Sequence, residues 1–249
     1  MKPKKSLGQH FLKDGNMLRY EAEKADVKNK SVLEIGAGDG RLTEKIMAAG
    51  AKKITAIEID SVLAEDLKHK FKTSENVKII CADFLELEFK EHFDVIMGNI
   101  PYYISSAIIF KLKDIVFDRA ILIVQKEFAE KMVAKPNEKN YGRLSVTSQL
   151  FYTVKYIRTI PKALFSPPPR VDSAMIKLTK TDTRVTEFDE DVVRLLFQHK
   201  NQSVKKSLGH SKRFTKEQLS GLGDYSGRRI RTLSKEECLE ISKLLKHER

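Results

Sequence analysis

The sequence predicts a doubly wound α/β sheet followed by a small α-helical domain. Three observations predict it. Short apolar runs rich in β-branched residues alternate with helix-period stretches, and a glycine-rich turn follows the first of these runs directly. After about residue 181 apolar residues thin out while basic residues gather.

The runs 32–35, 54–59, 77–82, 93–97 and 120–124 read as buried strands, each too short for a helix and too apolar for a surface strand. Helical stretches at 42–49, 62–71, 104–113 and 126–134 separate or follow them, so the strands are expected to lie parallel. Two further strands are expected at 150–157 and 174–178, paired antiparallel at the sheet edge. Between them Phe165-Ser-Pro-Pro-Pro-Arg-Val-Asp172 must be extended, because proline fixes φ and removes donors. Helical patterning returns at 192–197 and 236–245, which places a domain boundary near residue 184: 1–184 catalytic, 185–249 small and basic.

Composition narrows the function. No apolar run approaches the roughly 18 residues that span a bilayer, and the N-terminus lacks the apolar core of a secretory signal, so a soluble cytoplasmic protein is expected. Cys81 and Cys238 stand outside any metal or disulfide spacing and are expected to be buried, and the six histidines form no ligand pair, so no metal is expected. The net charge is +12. Ten Lys/Arg against two acids lie between Arg194 and Arg231, a clustering that favours a nucleic-acid partner over mere solubility. The candidate RNA-binding residues are Lys200, Lys205, Lys206, Lys212, Arg213, Arg228, Arg229 and Arg231.

The first strand ends in Glu34-Ile-Gly-Ala-Gly-Asp-Gly40. Glycines there let the chain turn sharply and approach a ligand, and the following helix offers N–H donors. Gly36 and Gly38 are the expected contacts. Acidic residues end the next two strands, Glu58 and Asp83, 22 and then 25 positions further on. Such spacing outlines one crevice at the strand ends. A carboxylate after the second strand can take both ribose hydroxyls, and one after the third can accept from an adenine amine. Each alone would serve equally as a helix N-cap. The set fits S-adenosylmethionine better than a nicotinamide, which makes the sheet Rossmann-like, of the class I S-adenosylmethionine methyltransferase type.

Asn99-Ile-Pro-Tyr102 follows the fourth strand. An aromatic amine is a poor nucleophile because its lone pair is delocalised, so acceptors must favour the pyramidal nitrogen. The Asn99 side-chain oxygen and the Ile100 carbonyl can each accept one N–H and aim the lone pair at a methyl donor. Pro101 stiffens the loop, and Tyr102 offers a face to a flipped base.

This constellation resembles the ribosomal RNA adenine dimethyltransferases, specifically the universal small-subunit enzymes, over almost the whole chain. The matching segments are Ser6-Leu-Gly-Gln-His-Phe-Leu12, the 36–40 loop, Glu58, Asp83, Asn99–Tyr102, Tyr141-Gly-Arg-Leu-Ser145 and Phe165-Ser-Pro-Pro-Pro-Arg-Val-Asp-Ser173. The resemblance implies that His10 and Leu12 close over the cofactor, that Gly36, Glu58, Asp83 and Asn99 contact it, and that Phe165 stacks on the second face of the target base. From the residues alone, 8–12 would read as a helix start and Phe165 as a core aromatic. The resemblance further implies dimethylation of two adjacent adenines near the 3′ end of small-subunit rRNA, an immature small subunit as partner, a monomer, and a part in subunit assembly. His10 stands where bacterial members carry asparagine, with its contact expected through backbone, and Lys200-Asn201-Gln202 replaces an arginine-rich run in an expected basic helix over 197–208. The lysine-rich composition points to an archaeal or thermophilic source.

Two other readings compete. Macrolide-resistance enzymes that methylate one large-subunit adenine also carry Asn-Ile-Pro-Tyr, but the 141–145 and 165–173 segments favour the small-subunit enzyme. An assembly factor that has lost methylation would tolerate losses at Gly36, Asn99 or Tyr102, and all three are present.

Overall fold

The computed structural model describes residues 10–181, 185, 188–211 and 213–245. A two-residue strand β1 (Phe11–Leu12) leads into helix α1 (Gly15–Ala25). Then β2 (Ser31–Ile35), β3 (Lys53–Glu58), β4 (Val77–Cys81), β5 (Phe93–Asn99) and β6 (Phe117–Gln125) are joined by α2 (Arg41–Ala48), α3 (Ser61–Lys70) and α4 (Ser105–Lys111). After β6 come α5 (Lys126–Val133), α6 (Arg143–Phe151), β7 (Tyr152–Ile160), β8 (Phe165–Ser166) and β9 (Ser173–Lys180), and the chain ends in α7 (Glu190–Gln198), α8 (Val204–Gly209), α9 (Lys216–Ser220) and α10 (Lys235–Leu244). Among the described residues no helix is long and apolar enough to cross a membrane.

The main sheet has the order β4-β3-β2-β5-β6-β9-β7, with β2 to β6 parallel and β9 antiparallel to β6. Strands β2, β3, β5 and β6 bury Leu33, Ile54, Ile96 and Leu122 completely, the signature of a parallel sheet covered on both faces. Chain direction across the sheet reverses between β2 and β5, and that switch point opens a crevice at their carboxyl ends. The start of the pair is pinned by Asp94, whose carboxylate accepts from the Ser31 amide at 2.6 Å and its hydroxyl at 2.8 Å. These bonds hold the Asp94 carboxyl below the usual carboxylate range.

Four local expectations are corrected. The 150–157 strand begins at Tyr152, because 143–151 forms α6. Residues 11–12 are strand, with the helix starting only at Gly15, where Asp14 accepts from the Met17 amide as N-cap. The basic helix over 197–208 is two helices, α7 and α8, broken by a turn that Ser203 ends as the cap of α8. Cys238 is buried, and burial pushes its thiol up to about 12, but Cys81 is exposed because β4 is the sheet's edge strand.

The chain divides into two compact units, Met1–Ala129 with Lys155–Lys180, and Glu130–Val154 with Thr181–Arg249. The second therefore takes in 130–154, which the boundary near 184 left with the first. The reason is in the packing. Tyr141, Val146 and Leu150 share a core with Val192, Leu196, Leu208, Ile230 and Ile241, and the Tyr141 hydroxyl donates to the Leu233 carbonyl at 2.7 Å. Within the same unit Ser145 donates to the Lys131 carbonyl and Gln149 to those of Met132 and Ala134, so the Tyr141–Ser145 motif organises this core.

Glu21, on the inner face of α1, is fully buried, and neither of its carboxylate oxygens has a hydrogen-bond partner. Burial, and after it the charge of Glu34, raises its carboxyl well above the usual range. A folded-state pKa above the unfolded value means that the contribution of Glu21 to stability is most favourable in acid and falls as pH rises from about 4.5. We expect Glu21→Leu to stabilise the protein by about 1–3 kcal/mol, with the gain in thermal midpoint larger at about pH 8 than at about pH 4.5. Melting curves at the two pH values check both sign and trend; a variant that melts lower at each would refute the reading.

Candidate active site

The crevice between β2 and β5 holds a cavity of about 230 Å³ within the first unit. Its lining includes every residue expected there from the sequence: His10, Leu12, Gly36, Gly38, Glu58 and Asp83, together with Asn99, Ile100, Pro101, Tyr102 and Phe165. How they converge is a matter of a few local contacts.

The glycine loop is held by Glu58. One carboxylate oxygen accepts from the Gly38 amide at 2.8 Å and the other from the Asp60 amide at 2.9 Å, while Asp60 itself accepts from the Val62 amide and caps α3. Gly38 takes φ +59°, and a Cβ there would stand 2.8 Å from the Phe11 ring. Both the conformation and the ring above it demand glycine. Phe11 was not anticipated as a site residue, since a strand of two residues leaves no periodic signal.

Asp83 accepts from the Leu85 amide at 2.9 Å and so caps a short turn, the alternative the sequence left open, while still lining the cavity. Each of the two carboxylates, with one or more lone pairs still uncommitted, is able to accept from a ligand's hydroxyl or amine. Glu34 is a further acid of the cavity that the sequence reading passed over. Thr43 donates to one of its oxygens at 2.7 Å, and the other, buried, has no partner. Burial pushes its carboxyl up to about 8, against the lowering by the Thr43 bond.

On the opposite wall, Gly98 lets β5 press against β2: a Cβ at this position would lie 2.6 Å from the Ile35 carbonyl oxygen. That close approach sets Asn99 beside the glycine loop. Ile100 is fixed by its backbone N–H, which donates to the Ile123 carbonyl at 2.9 Å. The Asn99 Oδ1 is buried and has no hydrogen-bond partner. An orphaned buried acceptor costs about 1–3 kcal/mol in a folded protein, and a ligand N–H would satisfy it. We expect Gly98→Ala to overpack the β2–β5 contact at a cost of about 1–3 kcal/mol. A thermal midpoint several degrees lower would show it; an unchanged midpoint would mean the strands part freely.

Tyr102 is half-buried and its hydroxyl shares a 2.7 Å hydrogen bond with Ser173 Oγ at the start of β9; burial raises the phenol above its ordinary range. Phe165 arrives through a small antiparallel pairing, with Leu12 opposite Phe165 and Phe11 opposite Ser166. The imidazole of His10 bonds the Pro167 carbonyl at 2.8 Å and lies 6.1 Å, centroid to centroid, from the Tyr102 ring. His10 thus meets its protein surroundings through its ring. Among the described residues no group of His, Cys, Asp and Glu is arranged to hold a metal.

The basic candidates lie in the second unit. An antiparallel bridge between Ser203 and Arg229, with the amides of Val204, Ile230 and Arg231 bonding to the carbonyls of Arg228, Gln202 and Lys200, brings 200–206 alongside 228–231. Lys205, Lys206, Arg229 and Arg231 are exposed there. Three others have internal partners: Lys200 donates to the carbonyls of Lys139 and Tyr141, Arg213, itself exposed, pairs with Asp189, and Arg228 pairs with Glu237. Lys212 lies outside the described residues.

Comparison with known proteins bears on the whole chain. A model of the family described as ribosomal RNA adenine dimethylase matches residues 1–247. A protein of Thermococcus sibiricus named "Probable ribosomal RNA small subunit methyltransferase A" is 40% identical, the match covering 100% of this chain and 94% of the relative. One of the same name from Methanopyrus kandleri is 42% identical over 84% of this chain and 77% of its own length. Among solved structures, a dimethyladenosine transferase from Plasmodium falciparum is similar with a TM-score of 0.80 and 32% identity, over 93% of this chain and 96% of that one. The 23S rRNA methyltransferase ErmE is similar with a TM-score of 0.69 and 30% identity, over 94% and 99%. The fold is that of these methyltransferases, and with a family match that runs nearly from end to end, the chain belongs to the ribosomal RNA adenine dimethylase family.

Proposed function

We propose that the protein is an rRNA adenine-N6,N6-dimethyltransferase that uses S-adenosylmethionine to modify two adjacent adenines near the 3′ end of small-subunit rRNA. The observation that carries this reading is the buried, unpartnered Asn99 Oδ1 at the switch point, in one cavity with Tyr102 and Phe165. S-adenosylmethionine, when bound, supplies a methyl group made electrophilic by its sulfonium. Gly36, Gly38, Glu58 and Asp83 would hold it, with Glu58 accepting from the ribose hydroxyls and Asp83 from the adenine amine.

The target adenine leaves its stack and lies between Tyr102 and Phe165. Ser173 keeps the Tyr102 ring in place through its hydroxyl bond. Asn99 Oδ1 and the Ile100 carbonyl accept the two N–H groups of N6 and localise its lone pair. With the cofactor bound, the lone pair so aimed would take up the sulfonium methyl group, the electrons of the broken C–S bond staying with sulfur. The methylated amine then loses a proton to solvent, so no side chain need act as a strong base. A monomethylated amine keeps one N–H, so in a second round one of the two acceptors holds that N–H while the first methyl group stands where the other N–H was.

On this reading the enzyme is a cytoplasmic monomer and its partner is the rRNA of an immature small subunit, since the adenines are reachable only before the subunit closes around them. Lys205, Lys206, Arg229 and Arg231 would meet the phosphate backbone. The test is transfer of labelled methyl from S-adenosylmethionine to undermethylated small subunits, with large subunits in parallel. Label in dimethyladenosine of small-subunit rRNA is the expected result. Label confined to large-subunit rRNA would replace this reading with a macrolide-resistance activity, and tight RNA binding without label would leave an assembly factor.

A further inference from the structure

The turn that carries Tyr102 continues into Tyr103, and the two side chains have opposite fates. Tyr102 is half-buried and anchored by Ser173. Tyr103 is 62% exposed, more than any other exposed large apolar side chain among the described residues, and it is the sole aromatic among them. It has no hydrogen bond or ring contact with another described residue, yet it lines the reaction cavity. The segment Tyr102–Ile104 is a single 3₁₀ turn, in which successive side chains diverge by about 120°. Anchoring Tyr102 inward therefore directs Tyr103 to the rim.

A free aromatic face at the rim of a base-binding cavity has a chemical counterpart. When one adenine flips out of its strand, the base beside it loses a stacking neighbour. An aromatic side chain can replace that neighbour, and the two fused rings of a purine give it more surface to cover than the single ring of a pyrimidine. We propose that Tyr103 stacks on the adenine adjoining the flipped one, and so makes a pair of neighbouring purines the preferred target. This rests on the function proposed above, and it assigns Tyr103 to selection of the substrate, leaving methyl transfer to Asn99 and Ile100.

The test is steady-state methylation of undermethylated small subunits by the wild type, Tyr103→Ala and Tyr103→Phe, on subunits with the native adenine pair and on subunits in which the neighbouring adenine is replaced by uracil. Loss of one stacked base corresponds to roughly tenfold in KM. Tyr103→Ala should raise KM for the native pair by that factor, with kcat the less affected constant, and Tyr103→Phe should restore it because the ring, not the hydroxyl, does the stacking. The uracil substitution should raise KM for the wild type but add little to Tyr103→Ala, since both remove the same contact. Equal penalties on both substrates, or a Tyr103→Phe as weak as Tyr103→Ala, would overturn the inference while leaving the proposed function intact. A wild-type enzyme that leaves small-subunit rRNA unlabelled would overturn both.

Discussion

Asn99→Ala is expected to lower kcat for methyl transfer by about 10²–10³-fold, the usual consequence of removing one preorganised hydrogen-bonding group from a reacting centre. The residue sits at the end of β5, with its Oδ1 buried and unsatisfied by the protein, so the acceptor is in place before the substrate arrives and needs no rearrangement during reaction. On the proposed mechanism it meets the reacting amine and not the phosphate backbone, so affinity for the small subunit should change little. Asn99→Asp keeps an acceptor oxygen and should lose less than the alanine variant. Single-turnover rates with saturating labelled S-adenosylmethionine separate these outcomes. An alanine variant that retains most of its single-turnover rate would remove Asn99 from the chemistry and with it the main support for the mechanism.

Neutralising Lys205, Lys206, Arg229 and Arg231 together should weaken binding to small-subunit rRNA by roughly 10²-fold at low salt and flatten the log–log dependence of affinity on salt by about 3 to 4. These four are exposed and form no ion pair with another described residue, so each is free to displace a counterion. Neutralising Lys200, Arg213 and Arg228 instead should change the salt slope less and the thermal midpoint more, because each already binds a carbonyl or a carboxylate of its own unit. Binding isotherms at several salt concentrations, run beside melting curves, distinguish the two groups. Equal slope changes for both would mean that the internal partners give way to RNA and that internal pairing does not sort the contacts.

Much of the catalytic unit was legible before any coordinates. Alternation of apolar runs with helix-period stretches is a local property of the chain, and a parallel sheet follows from it because each short strand must bury both faces. The positions of Gly36, Glu58, Asp83 and Asn99 were equally legible, since each stands at a strand end and a doubly wound sheet gathers its strand ends at one edge. What the local pattern cannot carry is the meeting of segments far apart in the chain. Leu12 lies opposite Phe165, Gly98 presses on the Ile35 carbonyl, and Tyr102 is anchored by Ser173. None of these pairings leaves a period or a propensity behind.

The same distinction separates the two units. Amino-acid order determined that 194–231 would be basic, and the caps Asp189, Ser203, Thr215 and Ser234 start helices by contacts settled within three residues, a local signal that the expected single helix over 197–208 passed over at Ser203. Only the tertiary structure decided which of those cations remain exposed, and that Glu130–Val154 joins the second unit. An ion pair such as Arg213 with Asp189, or a core contact such as Tyr141 with Leu233, depends on the shape that remote side chains make when they pack together, and that shape is a property of the assembled core rather than of any stretch of the chain.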